Sequence, residues 1–247
     1  MGKLEAQTQP EYDFASVAFD GSAYVSEPRH SMSPVLSIGS RVNSWQYLHV
    51  KRWIDVAGSL VMIAVSFVPG LLIAALIAFT SEGSVFYRET RIGRNGRPFR
   101  ILKFRSMSHA AHWREVVKPG YSDGIFLHWR VHKNHRDPRI TPVGRFLRRW
   151  SLDELPQVLN VLRGEMSLIG PRPVVAAEVP LYGHLQHFYL AATPGLSGLW
   201  QVSGRSNVSF AARANLDASY VRNWSLGTDF GILLRTIPAV LGRVGAR

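Results

Sequence analysis

Residues 56–81 read VAGSLVMIAVSFVPGLLIAALIAFTS, a run of 26 residues without a charged side chain. As one α-helix this segment would extend about 39 Å at ~1.5 Å per residue, which exceeds the ~30 Å hydrocarbon core of a bilayer. The alternative is a buried helix of a soluble protein, but an uncharged run of this length is more typical of a membrane helix. The segment therefore predicts that the protein is attached to a membrane.

Pro69 divides this segment into two arms, each only about 20 Å long at ~1.5 Å per residue, and Ser66 can bond backbone groups that the proline leaves free. Lys51 and Arg52 precede the segment, and seven basic residues follow it between residues 88 and 105. Because cytoplasmic flanks are enriched in Lys and Arg, basic residues on both sides favour a re-entrant hairpin with both ends on one face. An ordinary kinked transmembrane helix stays open, because such helices tolerate proline.

The composition predicts a protein that is attracted to polyanions. The 247 residues carry a formal net charge of +12, and the isoelectric point is about 10.6. Nucleic acid, nucleotides and anionic lipid are therefore the candidate partners. Most of the basic residues are arginines, which suits bidentate phosphate contacts but would also follow from the codon bias of a GC-rich genome. The sequence contains no cysteine, which excludes disulfides, a thiolate nucleophile and a cysteine-ligated zinc site.

The chain divides into three parts. Residues 1–45 mix small, polar and acidic side chains without periodicity, which predicts a flexible arm. Residues 46–81 contain the membrane helix broken at Pro69, and residues 82–247 are expected to form one folded domain. Five histidines lie between residues 109 and 135, and His128 and His132 among them have the spacing of a zinc-binding helix. Trp129 stands where that motif has its glutamate, so we expect no metal there.

Alternating apolar and basic residues surround Asn95 and Gly96 in SVFYRETRIGRNGRPFRILKFRSM, residues 84–107. Such alternation around an Asn-Gly pair predicts a β-hairpin. Most of its arginines are expected to face solvent or lipid headgroups. Lys103 and Arg105 alternate outward at the end of the second strand, which makes them candidates for a binding site.

Two adjacent carboxylates, Asp153 and Glu154, stand near the start of SLDELPQVLNVLRGEMSLIGPRP, residues 151–173. Ser151 and Glu154 have the spacing of a capping box. Pro156 instead favours Asp153 as the N-cap, because the proline then falls in the first turn, where no backbone donor is needed. Asp153 would lie at the positive end of the helix dipole, which favours an ionised nucleophile or metal ligand. A simple cap is the plainer interpretation.

An arginine held between two prolines ends the same stretch. The prolines on both sides of Arg172 fix its backbone, so that its planar guanidinium is positioned in advance for phosphate oxygens. Arg148 lies five residues before Asp153, close enough in sequence to share a site. Carboxylates and arginines in this pattern indicate chemistry on a phosphate.

Five ordered blocks carry a resemblance to a known family. They are KRWID at 51–55, FYRETRIGRNGRPFRILKFRSM, SLDELPQVLNVLRGEMSLIGPRP, TPGLSGLWQVSGR and DASYVRNWSLGTDFGILLRTIPAV. Together, from about Lys51 to Val240, they resemble the bacterial sugar transferase family, the monotopic phosphoglycosyl transferases. The PRPVV, GLWQVSGR and NWSL versions look most like enzymes that start exopolysaccharide repeats by transferring galactose 1-phosphate or glucose 1-phosphate.

The resemblance implies an α/β fold of the α+β kind, mostly helical. In it a re-entrant membrane helix joins a small cytoplasmic catalytic domain, residues 82–247, which has a β-hairpin and interfacial amphipathic helices. It also implies transfer of a hexose 1-phosphate, galactose before glucose, from a UDP-sugar to undecaprenyl phosphate with release of UMP. This reaction would take place at the cytoplasmic face of the bacterial inner membrane. The expected partners are these two substrates, membrane lipid and downstream glycosyltransferases, and not nucleic acid.

The resemblance also assigns roles to individual residues. Asp153 would be the nucleophile that forms a covalent acyl-phosphate intermediate, and Glu154 would help to hold Mg²⁺. Contacts to phosphate or substrate are implied for Lys103, Arg105, Arg148, Arg172, Gln201, Arg205 and Asp217. Plainer alternatives stay open for some of them, since Gln201 and Arg205 could only close a turn. Asp217, like Asp229, could only bind arginines of the fold.

Two other classes of function also stay open. A membrane-tethered polyanion-binding protein would explain the positive charge, but it would not require two carboxylates before a Pro-Arg-Pro sequence. The second class is a non-catalytic scaffold that keeps the fold.

Overall fold

The computed structural model describes residues 41–108, 139–204 and 208–242. Most of the predicted flexible arm, the five histidines and Arg205 lie outside these ranges. Within them, Val42 is fully buried in the main core, and Arg94 donates a hydrogen bond to the Val42 carbonyl oxygen at 3.1 Å. Val42, which the sequence analysis placed in the flexible arm, therefore packs in the main core.

The described residues are mostly helical and contain two small sheets, as the sequence predicts. The helices are α1 (Lys51–Thr80), α2 (Pro142–Arg149), α3 (Val158–Arg163), α4 (Gln186–Ala191), α5 (Leu199–Val202), α6 (Phe210–Arg222) and α7 (Leu226–Leu241). The strands are β1 (Phe86–Ile92), β2 (Pro98–Phe104), β3 (Ser167–Ile169) and β4 (Gly195–Ser197). Short turns are a π-helix at Gln46–Val50 and 3₁₀ helices at Arg94–Gly96, Leu152–Gln157, Ala176–Glu178 and Pro180–Leu185.

Side-chain caps fix where three of the helices begin. Thr141 accepts a hydrogen bond from the Gly144 amide at 2.9 Å, and a proline occupies the first position of α2. Ser209 and Ser225 accept in the same way at the starts of α6 and α7. Such caps satisfy backbone donors that have no partner inside the helix.

The apolar helix α1 continues through Pro69. Ser66 donates a hydrogen bond to the Met62 carbonyl oxygen at 2.6 Å, one turn before the proline. With the π-helical turn before it, the segment is long and apolar enough to cross a membrane by length and composition. Its middle is not covered by protein, since Val65 is 74% exposed and Leu72 is 67% exposed. A helix buried inside a soluble protein would not leave these apolar side chains exposed.

Both ends of α1 contact the same folded domain. At its start, Asp55 accepts hydrogen bonds from the Ser167 hydroxyl and the Leu168 amide, both at 3.0 Å. Near its end, Ile77 is 1% exposed and packs in a cluster with Phe104 and Leu147. The domain therefore holds the helix at two places while the part between them stays exposed.

The predicted hairpin is confirmed. Strands β1 and β2 pair antiparallel from Phe86 opposite Phe104 to Ile92 opposite Pro98. Asn95 has a φ of 57° in the turn, a left-handed conformation that Asn adopts more readily than most residues. The second sheet is a parallel pair, β3 and β4, in which a Cβ added to Gly195 would lie 2.1 Å from the Gly170 amide nitrogen. Only glycine allows this approach of the two backbones.

Asn160 joins the hairpin to α3. Its side chain accepts a hydrogen bond from the Leu102 amide at 3.0 Å and donates to the Arg100 carbonyl oxygen at 2.8 Å and to Glu165 at 2.7 Å. The residue has no exposed surface. Because Lys103 follows Leu102 directly, this buried amide also fixes the strand that carries a predicted site residue.

We expect Asn160→Ala to lower the free energy of unfolding by about 2–4 kcal/mol, because it leaves buried backbone groups of β2 without partners. The matched control is Asn215→Ala, since Asn215 lies on an exposed helix face and donates only to the Ala211 carbonyl oxygen one turn before it. Thermal unfolding in detergent micelles measures both. Equal shifts in Tm for the two variants would show that the buried bonds of Asn160 contribute no more to stability than the exposed bond of Asn215.

Candidate active site

A 3₁₀ helix at Leu152–Gln157 presents three different faces. With ~3.0 residues per turn, side chains three residues apart share a face. Leu152 and Leu155 pack against the cluster around Phe104, whereas Glu154 and Gln157 line a cleft. Asp153 does not line that cleft and lies on the third face.

The prediction that Asp153 is the N-cap of an α-helix is wrong. Ser151 precedes the 3₁₀ helix with a φ of 56° and makes no side-chain cap, and α-helical bonding begins only at Val158. Pro156 has no amide hydrogen to donate, and the short 3₁₀ helix accommodates it before α3 begins. Asp153 therefore lies inside the first turn rather than before it.

The electrostatic surroundings of Asp153 also differ from the sequence prediction. Burial raises the pKa of the Asp153 carboxyl, and the neighbouring charge of Glu154 raises it further. Lys103 and Arg148 act in the opposite direction and lower this pKa. Lys103 also donates a hydrogen bond to Glu154 Oε1 at 2.8 Å. The structure thus brings together both carboxylates and two of the predicted cations.

A small cleft, partly open to solvent, lies beside these carboxylates. It is lined by Arg91, Ile101, Lys103, Glu154, Gln157, Arg172, Pro173, Gly195, Leu196 and Gln201. The polar lining consists of three cations, two amides and the single carboxylate of Glu154. Such a lining suits a ligand with several phosphate oxygens.

Arg172 is held on the cleft wall by an aromatic ring. Its guanidinium carbon lies 5.3 Å from the centroid of the Trp200 ring, and that of Arg213 lies at the same distance from the ring. Burial lowers the pKa of Arg172, while Glu154 raises it. Among the described residues no carboxylate lies within ion-pair distance of Arg172. A desolvated cation of this kind is ready to bind an anion.

Arg105 does not reach the cleft, although it was predicted to bind phosphate. Strand β2 ends at Phe104, so the alternation that would place Arg105 beside Lys103 stops one residue too early. The side chain is 8% exposed and donates to the Ser81 carbonyl oxygen at 2.7 Å and to its hydroxyl at 2.9 Å. In the structure Arg105 therefore binds the residue that directly follows α1.

The two late aspartates both bind groups of the fold. Asp217 accepts a hydrogen bond from the Tyr182 hydroxyl at 2.8 Å and lies 3.8 Å from Nε of Arg213. Asp229 accepts from Lys51 at 2.6 Å, and also from Tyr220 and Trp224. The plainer alternative of the sequence analysis, binding to an arginine of the fold, therefore describes Asp217, whereas Asp229 binds a lysine, a tyrosine and a tryptophan. Asp217 lies near the cleft through Arg213, whose guanidinium lies over the same Trp200 ring as that of Arg172.

Sequence reasoning missed two residues that line the cleft, Arg91 and Gln157. Arg91 belongs to β1, donates to the Pro173 carbonyl oxygen at 3.4 Å and pairs with Glu89. Gln157 follows Glu154 by one 3₁₀ turn. Residues three apart are neighbours on a 3₁₀ helix and on an α-helix alike, so the spacing from Glu154 is the signal that could have found Gln157.

Within the described ranges no group of three or more His, Cys, Asp or Glu residues is placed to hold a metal ion. Glu154, which lines the cleft, still fits Mg²⁺, because this ion is commonly held by one or two carboxylates together with substrate phosphates and water. Carboxylate oxygens are the donor type that the ion prefers.

Comparison with known proteins identifies a family. The family model described as "Bacterial sugar transferase" matches residues 46–243 of the chain. The chain is 49% identical to "Exopolysaccharide production protein ExoY" of Rhizobium meliloti (strain 1021), over 77% of this chain and 84% of that protein. It is 42% identical to "Undecaprenyl-phosphate galactose phosphotransferase" of Salmonella typhimurium, over 80% of this chain but only 41% of the relative. It is also 42% identical to "UDP-glucose:undecaprenyl-phosphate glucose-1-phosphate transferase" of Caulobacter vibrioides, over 77% and 69%.

The buried Asp217 gives a testable pH dependence. Burial raises its pKa to about 6, against the opposing effects of Arg213, Tyr182 and Arg172. A carboxyl whose pKa is raised by folding stabilises the native state at low pH, and this contribution is lost as the pH rises through the folded value. Asp217→Asn cannot ionise, so we expect its stability relative to wild type to increase by up to about 3 kcal/mol from pH 4 to pH 8.

Thermal unfolding in micelles across this pH range measures the difference. Glu82→Gln is the matched control, since it removes an exposed carboxylate and should give a difference that does not change with pH. A constant difference between Asp217→Asn and wild type would contradict the raised pKa.

Proposed function

The chain belongs to the bacterial sugar transferase family, and we propose on that premise that it transfers a hexose 1-phosphate from a UDP-sugar to undecaprenyl phosphate, releasing UMP. This is a phosphoglycosyl transfer, in agreement with the names of the Salmonella and Caulobacter relatives. Those two names differ in the sugar, galactose in one and glucose in the other, at the same identity to this chain. We propose galactose first and glucose second.

The observation that supports this reaction best is the group formed by Asp153, Glu154, Lys103 and Arg148 beside a cationic cleft. A carboxylate surrounded in this way can act as a nucleophile toward a pyrophosphate. Lys103 and Arg148 favour its ionised form against burial, and Arg172 offers a guanidinium to phosphate oxygens.

The proposed reaction has two displacements at one phosphorus. In the first, an Asp153 carboxylate oxygen bonds to the sugar-bearing phosphorus of the donor, and the bond from that phosphorus to the bridging oxygen breaks. UMP leaves with the bonding electrons. In the second, a phosphate oxygen of undecaprenyl phosphate attacks the same phosphorus, and the Asp153 carboxylate is released. One site thus serves two bulky phosphates in turn.

In this proposal the cations of the cleft supply most of the stabilisation of the transition state. Lys103 and Arg172 lie where they can neutralise the charge that develops on phosphate oxygens, the main requirement of phosphoryl transfer. Glu154 would help to hold Mg²⁺, which when bound would neutralise charge on the leaving phosphate. Arg205, predicted to contact substrate, lies outside the described residues, whereas Gln201 lines the cleft.

The long apolar helix and the family indicate membrane association, and we propose that α1 is re-entrant. A helix that crosses a bilayer has its ends on opposite faces, so one compact domain outside the membrane cannot contact both ends. The domain contacts both, through Asp55 near the start and Ile77 near the end. The proposed location is therefore the cytoplasmic face of the bacterial inner membrane, where the lipid phosphate also lies.

Helix α7 provides a second apolar surface for the same arrangement. The exposed large side chains on it are Leu226, Phe230, Leu233, Leu234 and Ile237, which lie along one side at helical spacing. On the other side Ile232 is buried in the main core. Such a helix suits a position at the headgroup boundary of a bilayer, so it would support the domain at the depth that α1 sets.

The reaction is tested with purified protein in detergent, Mg²⁺, undecaprenyl phosphate and a panel of radiolabelled UDP-sugars. We expect wild type to release UMP, and without acceptor lipid to retain the labelled sugar phosphate. Asp153→Asn keeps the shape of the side chain but is a far poorer nucleophile, so turnover should fall by at least ~10³-fold with no retained label. Glu82→Gln, outside the cleft, should behave as wild type.

Two results would count against the proposal. Unchanged turnover in Asp153→Asn would exclude the covalent mechanism. Binding of UDP-sugars by wild type without any UMP release would favour the polyanion-binding or scaffold function instead.

The topology is tested by labelling single cysteines, which is simple here because the sequence contains none. Gln46→Cys and Glu82→Cys place exposed thiols on either side of α1. We expect a membrane-impermeant maleimide to label both in inside-out vesicles and neither in sealed vesicles of the opposite orientation. Val65→Cys, in the exposed apolar middle, should react only after detergent is added. Labelling of the two flanking cysteines from opposite sides would show a spanning helix.

A further inference from the structure

Gln157 is a buried polar residue with an unused donor. Its side chain is 2% exposed, and its Nε2 atom has no hydrogen-bond partner within the part of the chain that the structure describes. Buried amide groups in folded proteins almost always have a partner, because an unpaired donor loses its hydration without compensation. An exception of this kind in a cleft indicates that the partner comes from outside the protein.

The 3₁₀ helix directs Gln157 to the same place as Glu154. The two residues are three positions apart, which places them on one face of a helix with ~3.0 residues per turn. Both line the cleft, together with Lys103 and Arg172. The amide thus projects into the space where the proposed function places the phosphates of the donor.

The neighbours of Gln157 decide which ligand atom its donor would meet. Lys103 and Arg172 are cations, and burial lowers the pKa of Arg172 because its charge has lost contact with water. A cleft with these cations attracts the oxygens of a phosphate. A neutral N–H group adds a hydrogen bond to such an oxygen without adding charge.

We propose that Gln157 contacts the donor substrate directly, with Nε2 donating a hydrogen bond to a phosphate oxygen of the UDP-sugar. This inference rests on the proposed function and adds a residue to it. Gln157 is then a substrate-binding residue, while Asp153, on another face of the same helix, carries out the covalent step. A purely structural Gln157 would instead be needed for folding and would affect both substrates alike.

Gln157→Met tests the proposal, because methionine has a similar length and no donor. We expect the kcat/KM for UDP-galactose to fall by ~10- to 100-fold, while the KM for undecaprenyl phosphate changes by less than about twofold. Gln157→Glu places a negative charge against the phosphates and should lower the kcat/KM for UDP-galactose further. The matched control is Gln186→Met, at an exposed glutamine at the start of α4.

Thermal unfolding separates binding from folding. Without ligand, Gln157→Met should unfold at or above the wild-type Tm, because the lost donor had no partner. The rise in Tm that UDP alone produces in wild type should shrink in the variant. A lower Tm without ligand, or failure to fold, would overturn the proposal in favour of a structural role.

The outcomes also distinguish this proposal from the function on which it rests. If wild type releases no UMP from any UDP-sugar, the proposed function fails. If wild type is active and Gln157→Met keeps the wild-type kcat/KM for UDP-galactose and the full response to UDP, only the role of Gln157 fails.

Discussion

The attachment of α1 to the domain is the constraint on which the other parts of the structure depend. The run at residues 56–81 has no charged side chain to set the position of α1, so the two ends of the helix must be fixed by their contacts with the domain. Lys51 and Asp55 do this at one end, through a bond to Asp229 and bonds from Ser167 and Leu168. Buried charges are costly unless paired, which ties this end of the helix to one arrangement.

The same attachment connects the membrane helix to the cleft. Ser167 begins β3, whose parallel partner β4 contributes Gly195 to the cleft wall. At the other end of α1, Phe104 packs in the cluster with Ile77 and directly follows Lys103 in β2. The position of the cleft relative to α1 is therefore set by short connections at both ends. The proposed reaction requires a fixed height of this kind, because the phosphate of a lipid substrate stays at the headgroup plane.

The 3₁₀ helix gives adjacent residues different surroundings. Leu152 and Leu155 are held by apolar packing, Glu154 and Gln157 face the cleft, and Asp153 lies between these two faces. In an α-helix, which advances 3.6 residues per turn, this division would not be maintained over six residues. The two neighbouring carboxylates therefore lie on different faces of the helix, which suits the separate roles proposed for them, although Lys103 acts on both.

The sequence by itself determined the features that depend on local patterns. An uncharged run predicted the long apolar helix, alternation around Asn95 and Gly96 predicted the hairpin, and five ordered blocks predicted the family. The structure and the comparisons confirm these three features. The placement of single side chains was decided only by the tertiary structure. Arg105 binds the end of α1 because β2 ends one residue before it. Asp153 does not cap an α-helix as predicted, because Pro156 is accommodated in a 3₁₀ helix. Burial, pKa and the unused donor of Gln157 depend on contacts between residues far apart in the chain, which no local pattern contains.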